Sequence, residues 1–134
     1  MEYLLYTIRN QTYAMPIEHV ESIEKVMPIT RIPLQSPEQL GVAVIRGEMV
    51  TVFDTALIMG IDNAYTNEDM LIITEGKRAF RVTEASDIVR IEPSEIQQVT
   101  GMQVWLHEEK AVPMVDLTTL KGAINDGGEA KKAV

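Results

Sequence analysis

Asp54 and Asp116 are the residues of this 134-residue chain that look most like chemistry. Two carboxylates held side by side can divide the work of a general acid and a general base. Their setting points elsewhere. Each closes an apolar run and stands six residues before a glycine, Gly60 or Gly122, with one short helical turn between. A carboxylate at the head of such a turn accepts its free backbone N–H groups, so capping is the expected role of both. His19 and His107 are the only histidines; their spacing suits no metal site, and both are expected at the surface. No Gly-x-Ser-x-Gly motif is present. The chain has no cysteine, which excludes disulfides, thiolate metal sites and a cysteine nucleophile. Arg46, at the end of an apolar run, reads on its own as a solvated charge. No catalytic residue, metal or cofactor is expected. A small hydrolase or ligand-binding barrel would need Asp54 and Asp116 together in one pocket.

The elements that carry these residues recur. Residues 41–60 run from Gly41 through an apolar stretch to Arg46-Gly47-Glu48, then through a β-branched stretch to Asp54, a helical turn and Gly60. Residues 101–122 repeat that order. β-Branched runs on either side of a short glycine-bearing turn predict a hairpin. Because the runs are continuous rather than alternating, the strands should be covered on both faces. Upstream, Ile17, Val20 and Ile23 have the spacing of Val82, Ala85 and Ile88. An offset of about 60–65 residues joins these pairs and indicates a duplicated unit.

Further strands are expected at residues 3–8, 13–15, 21–26, 70–74, 79–82 and 87–91. Short helical turns are expected at 16–20, 83–85 and 93–96. Residues 28–40 contain three prolines and read as a loop. Residues 62–69 are polar and expected to be exposed, and 125–134 read as a frayed tail of small and charged residues. A chain of this length with 46% hydrophobic residues can form one domain, or two small intertwined subdomains sharing a core, over residues 1–124. About five short strands per half suit small closed or partly closed β-barrels. No helical pattern is long enough for the crossovers of a parallel sheet. The eight methionines and Trp105 read as core filling.

The formal net charge of −8 argues against a nucleic-acid groove and against a membrane surface. No apolar stretch approaches the roughly 20 residues that cross a bilayer. The start, MEYLLYTIRN, lacks the pattern of a signal peptide, so a cytoplasmic protein is expected. A protein partner stays open.

Tyr3-Leu4-Leu5-Tyr6-Thr7, Tyr13-Ala14-Met15-Pro16-Ile17, Ile29-Thr30-Arg31-Ile32-Pro33, Ile45-Arg46-Gly47 and Ser86-Asp87-Ile88-Val89-Arg90-Ile91 stand in an order that resembles the CheW family of chemotaxis coupling proteins. The resemblance implies a mainly β fold of two small five-stranded SH3-like β-barrel subdomains around a shared core, with short helical turns. It implies a non-enzymatic adaptor that links a chemoreceptor tip to the regulatory domain of the histidine kinase CheA. Carried over residue by residue, it places Val20, Ile32, Gly41, Val42, Arg46 and Gly47 at a receptor groove between the barrels. Arg46 should bond a carboxylate from the strand after the first helical turn; Ser22 occupies the family's glutamate position, so Glu21 or Glu24 is the expected partner. Val44 stands where the family signature has asparagine. Only Gln97-Gln98-Val99-Thr100 separate Ile96 from Gly101, where the family carries a longer connection used for a second kinase contact. A tight turn without that contact is expected here. The alternative is a divergent adaptor of another signalling system that retains one partner face.

Overall fold

The structure is a computed structural model that describes residues 1–33, 35–62 and 65–123. The expected tail at 125–134 lies outside the described residues. The chain runs β1 (Glu2–Ile8), β2 (Gln11–Pro16), a 3-10 turn (Ile17–His19), β3 (Val20–Lys25), β4 (Gln39–Ile45), β5 (Glu48–Asp54) and the one-turn helix α1 (Thr55–Ile58). It continues with β6 (Met70–Thr74), β7 (Arg78–Val82), β8 (Glu84–Arg90), a 3-10 turn (Pro93–Glu95), β9 (Ile96–Val99), β10 (Met102–His107), β11 (Lys110–Pro113) and a 3-10 turn (Leu117–Thr119).

Five strands form one sheet in the order β3-β6-β7-β5-β4, in which β5 and β7 run parallel and the other neighbours antiparallel. This is the first barrel. The second is built from two three-stranded sheets, β2-β1-β8 and β11-β10-β9. They join where Ala14 pairs with Met114 in parallel and Val115 N–H donates to the Ala14 carbonyl at 2.9 Å. Without β9, the second barrel reads β8-β1-β2-β11-β10, the order of the first with each strand replaced by its repeat. The parallel contact recurs too, β5 with β7 in one and β11 with β2 in the other. The hairpins β1–β2 and β6–β7 are therefore exchanged: the first hairpin of each repeat is built into the barrel of the other.

The burial pattern explains why the apolar runs are continuous. β6, MLIIT, sends Leu71 and Ile73 into a core with Ala43, Ile45, Val50, Val52 and Ala79, inside the first barrel. Its other face sends Ile72 into a shared core with Leu4, Tyr6, Phe53, Phe80 and Leu117, drawn from both barrels. β1 likewise divides between the shared core (Leu4, Tyr6, Ile8) and the second barrel, where Tyr3 packs with Ala14, Ile91, Trp105 and Val112. Each large side chain buried in the shared core contributes roughly 1.5–3 kcal/mol. Several such residues hold the barrels as one unit.

Three expectations are corrected. Thr83-Glu84-Ala85 forms no helical turn; Glu84 and Ala85 already belong to β8, paired with Thr7 and Tyr6 of β1. Residues 97–99 are not part of a loop but the body of β9, with the turn confined to Thr100 and Gly101. The polar segment 62–69 ends in a buried group: the Asp69 carboxylate is closed in by Arg81, whose Nε donates to it at 2.9 Å.

Candidate functional site

Asp54 and Asp116 stand at equivalent points of the two barrels, and each is occupied locally. Asp54 caps α1 by accepting from Leu57 N–H at 3.1 Å, and it also accepts from the Tyr65 hydroxyl. Burial and that bond raise the Tyr65 pKa, and the Arg81 guanidinium lies 4.4 Å over its ring. Asp116 caps the last 3-10 turn through Thr118 N–H at 3.0 Å and the Thr118 hydroxyl at 2.6 Å. Carboxylates engaged in this way position turns. Among the described residues no group of three or more His, Cys, Asp or Glu is arranged to hold a metal ion. His107 stacks on the buried Trp105 with ring centroids 4.4 Å apart.

The residues assigned to the groove separate into three places. Ile32 and Val42 line an open apolar cavity of about 690 Å³ with Met27, Pro28, Val44 and Met49. All of its lining belongs to residues 27–49, so the cavity lies on the first barrel and not between the barrels. Val44 and Met49 face each other across β4 and β5, and are 62% and 63% exposed. Ile32, in the loop before β4, is 40% exposed. Large side chains this open, side by side around a concavity, form one contiguous apolar patch rather than scattered surface apolar residues.

Gly41 sets the wall of that cavity. Its φ is +147°, and a Cβ there would stand 2.2 Å from the Thr30 carbonyl oxygen. Only glycine lets β4 approach so closely that Thr30 and Val42 exchange backbone hydrogen bonds, both 2.8 Å long. That pairing holds the proline-containing loop, and Ile32 with it, against the strand.

Arg46 and Gly47 form the two-residue turn of the β4–β5 hairpin, with φ of +53° and +81°. Two positive values are the mark of a turn whose twist matches the flanking strands. The turn places the Arg46 guanidinium on β3. Nη2 bonds Glu24 Oε2 at 2.6 Å, and Nη1 donates to Ser22 Oγ at 3.4 Å. Of the two acidic candidates, Glu24 is thus the partner. β3 and β4 are the outer strands of the five-stranded sheet, so this pair spans the seam of the first barrel. Val20 stands at the far end of β3, opposite Thr74 and beside His19, away from the Arg46 pair.

Val44 and Met49 escape a reading by hydrophobic runs alone, because a continuous run predicts burial on both faces. Their signal is the Arg46-Gly47 turn: a two-residue loop fixes Val44 opposite Met49 and puts both on the face away from Ala43 and Val50.

A profile of the CheW-like domain matches residues 2–116. Over 98 residues the chain is 28% identical to "Chemotaxis protein CheW" of Bacillus subtilis (strain 168), covering 70% of this chain and 63% of that protein. The match thus spans less than two thirds of that relative's length. The crystal structure of the scaffolding protein TtCheW from Thermoanaerobacter tengcongensis has the same fold, with a TM-score of 0.77 at 19% identity, covering 90% of this chain and 94% of the other. Exchanged hairpins, a shared core and a seam closed by an arginine are here the build of a chain that belongs to the family of CheW-like domains.

Proposed function

We propose that this protein is a non-enzymatic adaptor of bacterial chemotaxis, working in the cytoplasm to couple chemoreceptor tips to the histidine kinase CheA. The observation that carries this is the open apolar cavity of the first barrel, with Ile32, Val44 and Met49 exposed at its rim. A concavity of this size, lined by aliphatic and methionine side chains, receives an apolar helical face. The receptor tip is the occupant assigned to it, with Arg46 and Gly41 acting indirectly by fixing the barrel seam and the loop wall. The two capped aspartates have no part in chemistry.

The test is titration of a soluble receptor-tip fragment and, separately, the CheA regulatory domain with wild type and the double variant Val44→Glu, Met49→Glu. Both residues are exposed, so the fold is retained. Receptor-tip affinity should fall at least about tenfold, the effect of 1.4 kcal/mol. Loss of kinase binding alone would move the kinase to this face. Unchanged affinity for both would reject the face.

A second reading has a specific support. With only four residues between Ile96 and Gly101, no extra loop exists to meet the kinase a second time, and a single kinase contact is the first expectation. Yet β9 and β10 leave Val99, Met102 and Leu106 exposed on the second barrel. That apolar face suits a second contact made by a flat strand surface. Leu106→Glu with Met102→Glu distinguishes the two: a one-face adaptor keeps its full kinase affinity, and a two-face adaptor loses ordered arrays in electron cryotomography.

A further inference from the structure

His19 occupies the 3-10 turn that leads from β2, in the second barrel, to β3, in the first. Its ring reaches both. Nδ1 lies 2.9 Å from Glu75 Oε1, in the β6–β7 turn of the first barrel. Nε2 lies 3.5 Å from Asp116 Oδ2, at the cap that follows β11 in the second, and 3.8 Å from Glu18 in its own turn. The other Asp116 oxygen is taken by Thr118, so Oδ2 is the one left for the ring. The side chain is about one-third exposed, and water can deliver or remove its proton.

A neutral imidazole carries one N–H. With the hydrogen on Nδ1, Glu75 is bonded and the Nε2 lone pair faces the Asp116 carboxylate. With the hydrogen on Nε2, the mismatch moves to Glu75. Only the imidazolium donates to Glu75 while turning a positive N–H toward Asp116. We propose that His19 is a pH-sensitive clasp between the two barrels, pairing with both Glu75 and Asp116 when protonated and releasing one of them when neutral. Asp116 caps the turn that begins with Leu117, whose side chain is fully buried in the shared core. Release therefore loosens the C-terminal turn that packs both barrels together.

The neighbouring charges agree. The hydrogen bond to Glu75 raises the His19 pKa above its ordinary 6.5; partial burial opposes this, and the charges of Asp116, Glu75 and Glu18 add to the rise. Arg78, which opens β7 after the turn that holds Glu75, spends its Nε on the Glu75 carbonyl at 3.3 Å and its Nη1 on the Ala123 carbonyl at 3.4 Å. Lys77 stands in the same turn as Glu75. On the Asp116 side the titratable group is Tyr6, which is buried, stacks on Tyr13 and donates its hydroxyl to the Val115 carbonyl at 2.8 Å. A histidine whose pKa rises on folding stabilises the fold fully below 6.5, and that stabilisation is lost as pH rises through the higher folded value. The clasp is thus closed on the acid side of neutrality and opens on the alkaline side. It stands independently of the adaptor reading.

The chain has two histidines, so an NMR titration resolves both. His19 should titrate above its own midpoint in the urea-unfolded chain, and Glu75→Gln and Asp116→Asn should each bring it down. The urea midpoint of wild type should exceed that of His19→Gln most at about pH 6 and meet it by about pH 9. Glu75 lies in an exposed turn, so Glu75→Gln folds even if the cap variant does not. A His19 midpoint at or below the unfolded value, a midpoint indifferent to Glu75→Gln, or a stability gap constant with pH would overturn the proposal.

Discussion

The hairpins β4–β5 and β10–β11 are the same object made twice, with different tips and different covers. Val44 and Met49 flank the first tip, and Leu106 and Ala111 the second, at an offset of 62 residues that also separates Asp54 from Asp116. Where the first has Arg46-Gly47, the second has Glu108-Glu109, and both turns are left-handed at both residues. Where β4 is bridged at Thr30, β10 is paired with β9 over four residues, Met102 to Trp105. The first barrel therefore needs a glycine at position 41 to admit the bridging loop, and an arginine to tie the seam. The second has Gln103 at the equivalent point and a full strand in place of both devices. One architecture closes its barrel by a point contact and a salt bridge, the other by a backbone ladder.

The strongest way to break this comparison is at Gly41. Gly41→Ala drives a methyl into the Thr30 carbonyl, and should cost about 3 kcal/mol or more or prevent folding. Gln103→Ala should stay within about 0.5 kcal/mol. Urea denaturation followed by tryptophan fluorescence measures both; equal losses would show that the two strands are not covered differently.

The tips sharpen it next. Gly47→Ala puts a side chain at φ +81° and should lose about 1 kcal/mol, whereas Glu109→Gly removes one from φ +64° and should gain about 0.5–1 kcal/mol. Shifts of thermal midpoint in opposite directions are the expected outcome, and shifts of the same sign would contradict the shared turn geometry.

The smallest effect on stability belongs to the clasp of the first tip. Arg46 is 69% exposed and Glu24 23%, so Arg46→Ala should cost less than about 1 kcal/mol. The same substitution should weaken receptor-tip binding, because the seam and the adjoining cavity share the hairpin. Glu108→Ala should change neither. A titration in which Arg46→Ala binds like wild type would leave the arginine as surface decoration.

Much of this was legible in the residues. The duplicated order of hairpin, aspartate and turn is present in both barrels, but the cover on both faces expected of the two hairpins is not: Val44, Met49, Met102 and Leu106 are exposed, and it is β6 that is buried on both faces. The register was not legible. Gly41 and Gly101 look equivalent in the sequence, yet they stand 60 residues apart rather than 62: one lies inside β4, the other in the turn between β9 and β10. Gln97 and Gln98 have little strand preference of their own, and it is the unpaired edge of β10 that draws them into β9. Residues 83–85 carry the spacing of the first helical turn but lack its length, since a single residue, Thr83, separates β7 from β8. Pairing with β1 then decides their conformation. His19 looked like a surface histidine because the carboxylates it meets are 56 and 97 positions away in the chain.

The exchanged hairpins also set a timetable for synthesis. β1 and β2 leave the ribosome before the other strands described, with apolar side chains on both faces, but the strands they pair with, β8 and β11, end at Arg90 and Pro113. The first barrel uses β3 through β7 and can close once Val82 has emerged, before the second has its strands. Through that interval the leading hairpin lacks its strand partners and can only rest on the first barrel's share of the common core, and contacts this distant in sequence form slowly. The nascent chain is then at its most vulnerable to the wrong partner, including another nascent chain offering the same hairpin.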